Sequence, residues 1–203
     1  MSTLLVLGAG GHGRVVADAA LRQGHWHAVS ATDRDPARCS GGFLPGVTVA
    51  PVAEALAAAT AVHIAIGDAH ARQAETQALG AERLATVVHP DASVSSHAEI
   101  GAGCFVAAGS VVAPLARLGI GVIVNHGAVV DHDVEVGDFS HIAPNATLGG
   151  NVAIGKRVLV GAGASVLPGL RICDDATIGA GSVVNASITG AGVYAGVPAR
   201  RVR

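Results

Sequence analysis

Counting in sixes from Val88 to Val184, this chain carries Val, Ile or Leu at all seventeen positions. If about a third of such a segment were of these types, chance would give the pattern about once in 10^8 trials. A beat this strict outranks local propensity. It describes a solenoid in which one apolar side chain per six residues points inward and a corner follows. Small residues fill the corners, as in Ile100-Gly101-Ala102-Gly103 and Ile178-Gly179-Ala180-Gly181. Three faces make a coil of about 18 residues, and coils stack as parallel strands about 4.8 Å apart. Residues 18 apart then lie above one another. His132 falls over Gly150, with Pro114 before it and Pro168 after. A second column runs His126, Pro144, Ala162, Ala180, and its later rungs are small enough to floor a groove for a long thin ligand.

The bulk composition fits such a core. Half of the 203 residues are hydrophobic, yet only 2% are aromatic, and many of the 28 glycines fall at corners of the repeat. A net charge of −2 without a basic block argues against a nucleic-acid partner. The tail Arg200-Arg201-Val202-Arg203 is too short to change that and reads as a solvated terminus. Cys39, Cys104 and Cys173 stand alone, so a reducing, cytoplasmic setting is expected. No signal peptide or membrane span is expected either, since Gly or polar residues break every apolar stretch before 18 residues.

Ahead of the beat, residues 1–85 alternate strand and helix patterns, which calls for a small Rossmann-like α/β domain with a parallel sheet. The apolar run Leu4-Leu5-Val6-Leu7 enters the turn Gly8-Ala9-Gly10-Gly11-His12-Gly13. Helices are expected at 14–23, 52–59 and 69–79, and strands at 27–32, 61–66 and 87–88. The first helix should bury Val15, Val16, Ala19 and Ala20. Ligands bind off the carboxyl ends of such strands. Here those ends are Gly10-Gly11-His12, Asp33-Arg34 and Gly67-Asp68. Gly8-x-Gly10-x-x-Gly13 matches the dinucleotide fingerprint, and Asp33 lies twenty residues on, where a ribose-binding carboxylate is expected. There is no second half to hold a nicotinamide. A mononucleotide-type ligand is therefore preferred over NAD(P), with a purely structural glycine turn as the other reading. Residues 86–189 form the parallel β-helix, five to six coils without insertion, and 190–203 an irregular cap over its open edge.

The chemistry-bearing stretch is Val130-Asp131-His132-Asp133. Histidine is a base at neutral pH, and a neighbouring carboxylate orients the ring and strengthens it. Adjacent side chains on an extended chain point opposite ways, so at most one of the two aspartates should reach the ring. The competing reading is a solvated polar corner. His141 is a second candidate, His126 a third, and His12 a possible ligand contact in the glycine loop. His25, His27, His63, His70, His89 and His97 are read as structural or surface residues. Zinc shared between subunits, as in gamma-type carbonic anhydrases, would need a different histidine spacing, so no metal is expected.

The repeat, the Val130–Asp133 corner, Gly137-Asp138-Phe139-Ser140-His141-Ile142 and Tyr194-Ala195-Gly196-Val197-Pro198-Ala199-Arg200 together resemble the left-handed β-helix acyltransferases. With Gly8–Gly13 and Ile66-Gly67-Asp68 added, the chain resembles the bacterial nucleotide-linked 4-aminosugar N-acetyltransferases and sialic acid O-acetyltransferases over its whole length. That resemblance implies a left-handed helix, acetyl-CoA as co-substrate, a homotrimer with active sites between subunits, and a role in surface-glycan synthesis. It implies His132 as general base and Asp133 as its acidic partner. It further implies acetyl-CoA contacts from His141, Gly150, Ala162 and Ala180. A nucleotide-sugar pocket would involve Gly10, Gly11, His12, Asp33, Arg34, Gly67 and Asp68. Ala180 stands where the family can have glycine, and Arg34 where it can have an acid. The expected reaction is acetyl transfer to the amine of a nucleotide-linked 4-amino-4,6-dideoxy sugar. Sialic acid O-acetylation, an NAD(P)-dependent oxidoreductase and a silent scaffold are the alternatives.

Overall fold

The computed structural model describes residues 2–39 and 42–202. Contacts divide the chain into two units, Met1–Pro90 and Asp91–Arg203. The first is built on strands β1 (Thr3–Leu7), β2 (Ala28–Thr32), β3 (Thr48–Val49) and β4 (Ala61–Ile64), all parallel, in the order β3-β2-β1-β4. Helices α1 (Gly11–Gln23), α2 (Val52–Ala58) and α3 (Ala69–Leu79) connect them, and a short strand, β5 (Val87–Val88), closes the unit. Leu4, Leu5 and Val6 of the interior strand β1 are wholly buried, as expected of a strand covered on both faces, and so is Val62 of β4. None of the three helices is long and apolar enough to cross a membrane.

Several boundaries shift from the sequence expectation. Helix α1 starts at Gly11 rather than Arg14, because the glycine turn itself supplies the first helical turn: the Arg14 N–H already donates to the Gly10 carbonyl at 3.2 Å. Its buried face is Val16, Ala17, Ala19 and Ala20, with Val15 half-buried. It ends at Gly24 in the left-handed conformation, φ 72°. Strand β4 stops at Ile64, where the chain turns toward α3, whose N-terminus is capped by Asp68 accepting from the Ala71 N–H at 2.8 Å. The edge strand β3 was not foreseen; two residues carry no readable period.

The second unit is a left-handed parallel β-helix of hexapeptide rungs. Up to Arg171–Ile172 its strands are two residues long, and they pair with the strand eighteen residues on, as in Val130 with Leu148 and Ile142 with Val160. One sheet contains Glu99–Ile100, Arg117–Leu118, Glu135–Val136, Ala153–Ile154 and Arg171–Ile172. Another runs from Ser93–Val94 to Val183–Val184, and the third passes through Ile123–Val124, His141–Ile142 and Leu159–Val160. Ladder residues from Val106 to Val184 are at most 4% exposed. Each such burial contributes about 1.5–3 kcal/mol.

Two features went beyond the single inward column. The residue two places before each ladder position also points inward, giving a second interior column that includes Cys104, Ala116, Val122, Ala128, Val134, Ala146, Val152 and Val158. Serines occur in it only with their hydroxyls bonded: Ser140 donates to the Gly155 carbonyl at 2.7 Å and accepts from the Val158 N–H at 3.0 Å. At the corners, the residue three places after each ladder position takes a left-handed conformation from Gly103 to Gly181. Glycine fills many of these corners, but Asp133 takes one at φ 58°.

The tail is more ordered than an irregular cap. Gly192–Ala195 adds a parallel strand beside Ala176–Ile178, and Arg200–Arg201 returns antiparallel to it. The Gly179 N–H donates to Tyr194 and the Val183 N–H to Gly196, so the last coil's open edge is satisfied by backbone. The six-residue beat ends, but the ladder continues, which is why the sequence reads as irregular there. Arg200 and Arg201 are exposed as expected of a solvated tail, and Arg203 lies outside the described residues.

Candidate active site

The corner at His132 is shaped by Asp133. On an extended chain its carboxylate would point away from the preceding ring. The left-handed turn at Asp133 brings it back, and the His132 Nδ1–H donates to Asp133 Oδ2 at 2.9 Å. Asp131 is turned to another task, accepting from the His132 backbone N–H at 2.7 Å. One carboxylate reaches the ring and the other fixes the peptide that carries it. The imidazole pKa is raised, first by the hydrogen bond to Asp133, then by the charge of Asp131, against a small desolvation.

With Nδ1 carrying the proton, Nε2 presents a lone pair. That edge of the ring lies on Gly150: a Cβ built there would stand 2.5 Å from Nε2 and 2.6 Å from Cε1. The ladder fixes the register, since the Asn151 N–H donates to the His132 carbonyl at 3.0 Å. Gly150 is buried, and among the described residues its N–H donates to no backbone or side-chain acceptor. A proton acceptor and an unspent amide donor therefore lie side by side. The His132 side chain is 60% exposed, so the imidazole is open to an incoming substrate.

The second column is also in register. The Asn145, Gly163 and Gly181 N–H groups donate to the carbonyls of His126, Pro144 and Ala162. His126, Ala162 and Ala180 are exposed along one corner, separated from the His132 corner by the sheet containing Val129–Val130 and Thr147–Leu148. His141 lies on a third face, its ring outward between the rungs of Ile123 and Leu159, and its Nε2 is 3.1 Å from the Asn125 amide nitrogen. Asn125 was missed in the sequence; nothing in spacing alone marks a partner sixteen residues away.

The first unit holds its own cavity, of about 670 Å³, at the carboxyl ends of the strands. Gly10, Gly11, His12, Asp33, Arg34 and Gly67 all line it. Asp68 does not, because its carboxylate caps α3. The glycine turn is dictated by close approach. A Cβ on Gly8 (φ 122°) would stand 2.6 Å from the Ala65 carbonyl oxygen, and one on Gly13 would collide with the Gly8 carbonyl. Gly10 offers no side-chain cap to α1 and no acid sits in its first turn, and Gly10, Gly11 and His12 at this N-terminus line the cavity. Asp33 braces this loop, accepting from the Ala9 N–H at 2.8 Å and the Asp35 N–H at 3.0 Å. Arg34 meets Glu75 of α3 in a fork, Nε to Oε1 at 2.9 Å and Nη2 to Oε2 at 2.8 Å. Glu75 and Arg38, which also line the cavity, escaped the sequence reading because neither belongs to the glycine fingerprint.

A six-residue-rung β-helix that holds an aspartate-paired imidazole over a bare amide donor defines a class: the hexapeptide-repeat acyltransferases. Comparison with known proteins narrows it. Residues 3–79 match the PglD N-terminal domain, and residues 151–186 match the bacterial transferase hexapeptide (six repeats). The acetyltransferase domain of PglB from Neisseria gonorrhoeae FA1090 is 34% identical over 100% of both chains, with a TM-score of 0.92. The same domain in complex with acetyl coenzyme A is 35% identical over 98% of both, with a TM-score of 0.91. PerB from Caulobacter crescentus, in complex with CoA and GDP-perosamine, is 33% identical over 99% of this chain and 97% of its own, with a TM-score of 0.90. The chain belongs to the PglD-like family of left-handed β-helix, acetyl-CoA-dependent sugar N-acetyltransferases.

Proposed function

We propose that this protein transfers the acetyl group of acetyl-CoA to the amine of a nucleotide-linked 4-amino-4,6-dideoxy sugar. The observation that carries the mechanism is the Nε2 edge of His132 lying on Gly150, whose N–H has no other acceptor among the described residues. The neutral amine attacks the thioester carbon. His132 Nε2 takes the amine proton as the C–N bond forms, and Asp133 stabilises the resulting imidazolium. The Gly150 N–H donates to the carbonyl oxygen as it gains charge. The tetrahedral adduct then collapses to the amide, the C–S bond breaks, and the CoA thiolate leaves. No acyl-enzyme is formed.

The first unit takes the nucleotide in its glycine-loop cavity, through Gly10, Gly11, His12, Asp33, Arg34 and Gly67; Asp68 acts there by holding α3. The β-helix takes acetyl-CoA, with Ala162 and Ala180 flooring the pantetheine path and His141 as a further contact. The openness of His132 in the single chain favours a groove completed by a neighbouring copy, and hence a homotrimer. The PerB complex with CoA and GDP-perosamine supports the amino-sugar acceptor. A role in surface-glycan synthesis in the cytoplasm accords with that substrate.

The test is thiol release from acetyl-CoA with UDP-, dTDP- and GDP-linked 4-amino sugars. His132→Asn is expected to lose activity by about 10²-fold or more while sugar-nucleotide affinity stays near normal. Full activity in that variant would remove His132 from the mechanism.

A further inference from the structure

Behind the wall of the first unit's cavity lies Arg72, a charged side chain that the chemistry so far does not use. It belongs to α3, is 1% exposed and does not line the cavity. Arginine is almost never buried this far unless its charge is paired or its hydrogens are bonded. This one folds back past the start of its own helix. Its Nη1 donates to the Ile66 carbonyl at 2.6 Å and to the Gly67 carbonyl at 2.9 Å. Both residues belong to the turn between β4 and α3, and both line the cavity. Two charge-assisted bonds therefore fix that turn from behind.

The consequence falls on the cavity side. In a trans peptide the C=O and N–H point opposite ways, and the Ile66–Gly67 peptide is trans. Its carbonyl is drawn back to Arg72, so its N–H, that of Gly67, points away from the buried guanidinium. Gly67 is exposed, and among the described residues its N–H donates to no backbone or side-chain acceptor. The same turn presses on the glycine loop: a Cβ on Gly8 would stand 2.6 Å from the Ala65 carbonyl oxygen and 3.5 Å from Ile66 Cγ1. The spare donor thus adjoins the loop that opens α1, where an anion is favoured. Resting on the nucleotide-sugar reading above, we propose that Arg72 is a positioning residue for the substrate's diphosphate: without touching the ligand, it holds the Ile66–Gly67 peptide so that the Gly67 N–H donates to a phosphate oxygen.

Calorimetric titration of the full-length protein with UDP, dTDP and GDP identifies the diphosphate that the wild type binds most tightly, and that nucleotide is the probe. Arg72→Met should weaken it about tenfold or more. Arg72→Lys, which keeps a cationic donor for the carbonyls, should recover most of the loss. Gly67→Pro removes the N–H itself and should weaken the probe by a similar factor; it tests the donor even if Arg72→Met does not fold. The double variant should bind no more weakly than Gly67→Pro alone, since Arg72 acts through that N–H. In thiol release, KM for the sugar nucleotide should rise in Arg72→Met while kcat and KM for acetyl-CoA stay within about threefold. Unchanged binding in Gly67→Pro or in folded Arg72→Met, additive losses in the double variant, or no recovery in Arg72→Lys would overturn the positioning role and leave the nucleotide-sugar reading intact. Absence of binding of all three nucleotides to the wild type would overturn both.

Discussion

Gly150→Ala is the sharpest test of the catalytic corner. Gly150 is not among the residues with positive φ, so alanine suits its backbone. The cost is confined to one contact: the new methyl would stand 2.5 Å from His132 Nε2 and 2.6 Å from Cε1, where about 3.5–4.0 Å is comfortable. The imidazole must yield by about 1 Å, and it can, because its side chain is 60% exposed. Stability should therefore change little, within about 1 kcal/mol. Catalysis should not survive the shift. A displacement of about 1 Å at a reacting group costs about 10²-fold, and the methyl also covers the amide that meets the developing oxyanion, whose loss alone costs about 10²–10³-fold. The two overlap, so the expected fall in kcat is about 10²–10⁴-fold with little change in sugar-nucleotide affinity. Steady-state thiol release, paired with thermal unfolding, measures both quantities. A variant with near-normal kcat would refute the idea that His132 and Gly150 act on the same thioester. A large drop in melting temperature would refute the claim that the corner is open enough to absorb the methyl.

Other expectations follow from the same geometry. Asp133→Asn should lower the His132 pKa, because the main cause of its rise is removed; the acid limb of the rate–pH profile should move to lower pH, and the plateau rate should fall. An unmoved acid limb would show that another group governs it. His63 is buried with its pKa lowered to about 4 by desolvation, and its Nδ1–H donates to the Ala85 carbonyl at 2.8 Å. The unfolded chain binds a proton near pH 6.5 and the folded one only near 4, so stability should fall with pH across that window. The loss by pH 4 is about 3 kcal/mol, from about 2.5 units at 1.36 kcal/mol each. Urea unfolding at several pH values would read this slope, which should flatten in His63→Gln. In the β-helix core, Ile142→Ala should cost about 2–5 kcal/mol, measured by the same unfolding, because that side chain is wholly buried.

The β-helix was legible because its period is set by one repulsive fact: apolar side chains must leave water every sixth residue. The neighbour of His132 followed by arithmetic, since eighteen residues return to the same corner. What spacing could not supply was conformation at a corner. That Asp133 rather than Asp131 grips the ring depends on a left-handed turn, and that turn type is marked by glycine at many corners but here by aspartate. The inner column two places before each ladder residue was hidden by its mixed composition, because Ala, Ser and Cys alternate in it with Val and break the apolar beat. In the first unit the glycine turn was plain from its fingerprint. The Arg34–Glu75 fork was not, because its partners are 41 residues apart and meet only once the sheet has brought α3 beside the end of β2.

The uninterrupted pairing of each strand with the one eighteen residues on gives this molecule a phase as well as a shape. Removing a single residue upstream of His132 would turn core side chains outward and solvent-facing ones inward. Removing six there would preserve every buried contact type and leave Gly150 eighteen residues on from His132, yet it would stack the pair over a different corner of the rungs before them. Only loss or gain of a whole circuit returns each side chain to its own column. Length can therefore drift in this protein in steps of eighteen, adding or subtracting storeys from the stack while the working corner keeps its address.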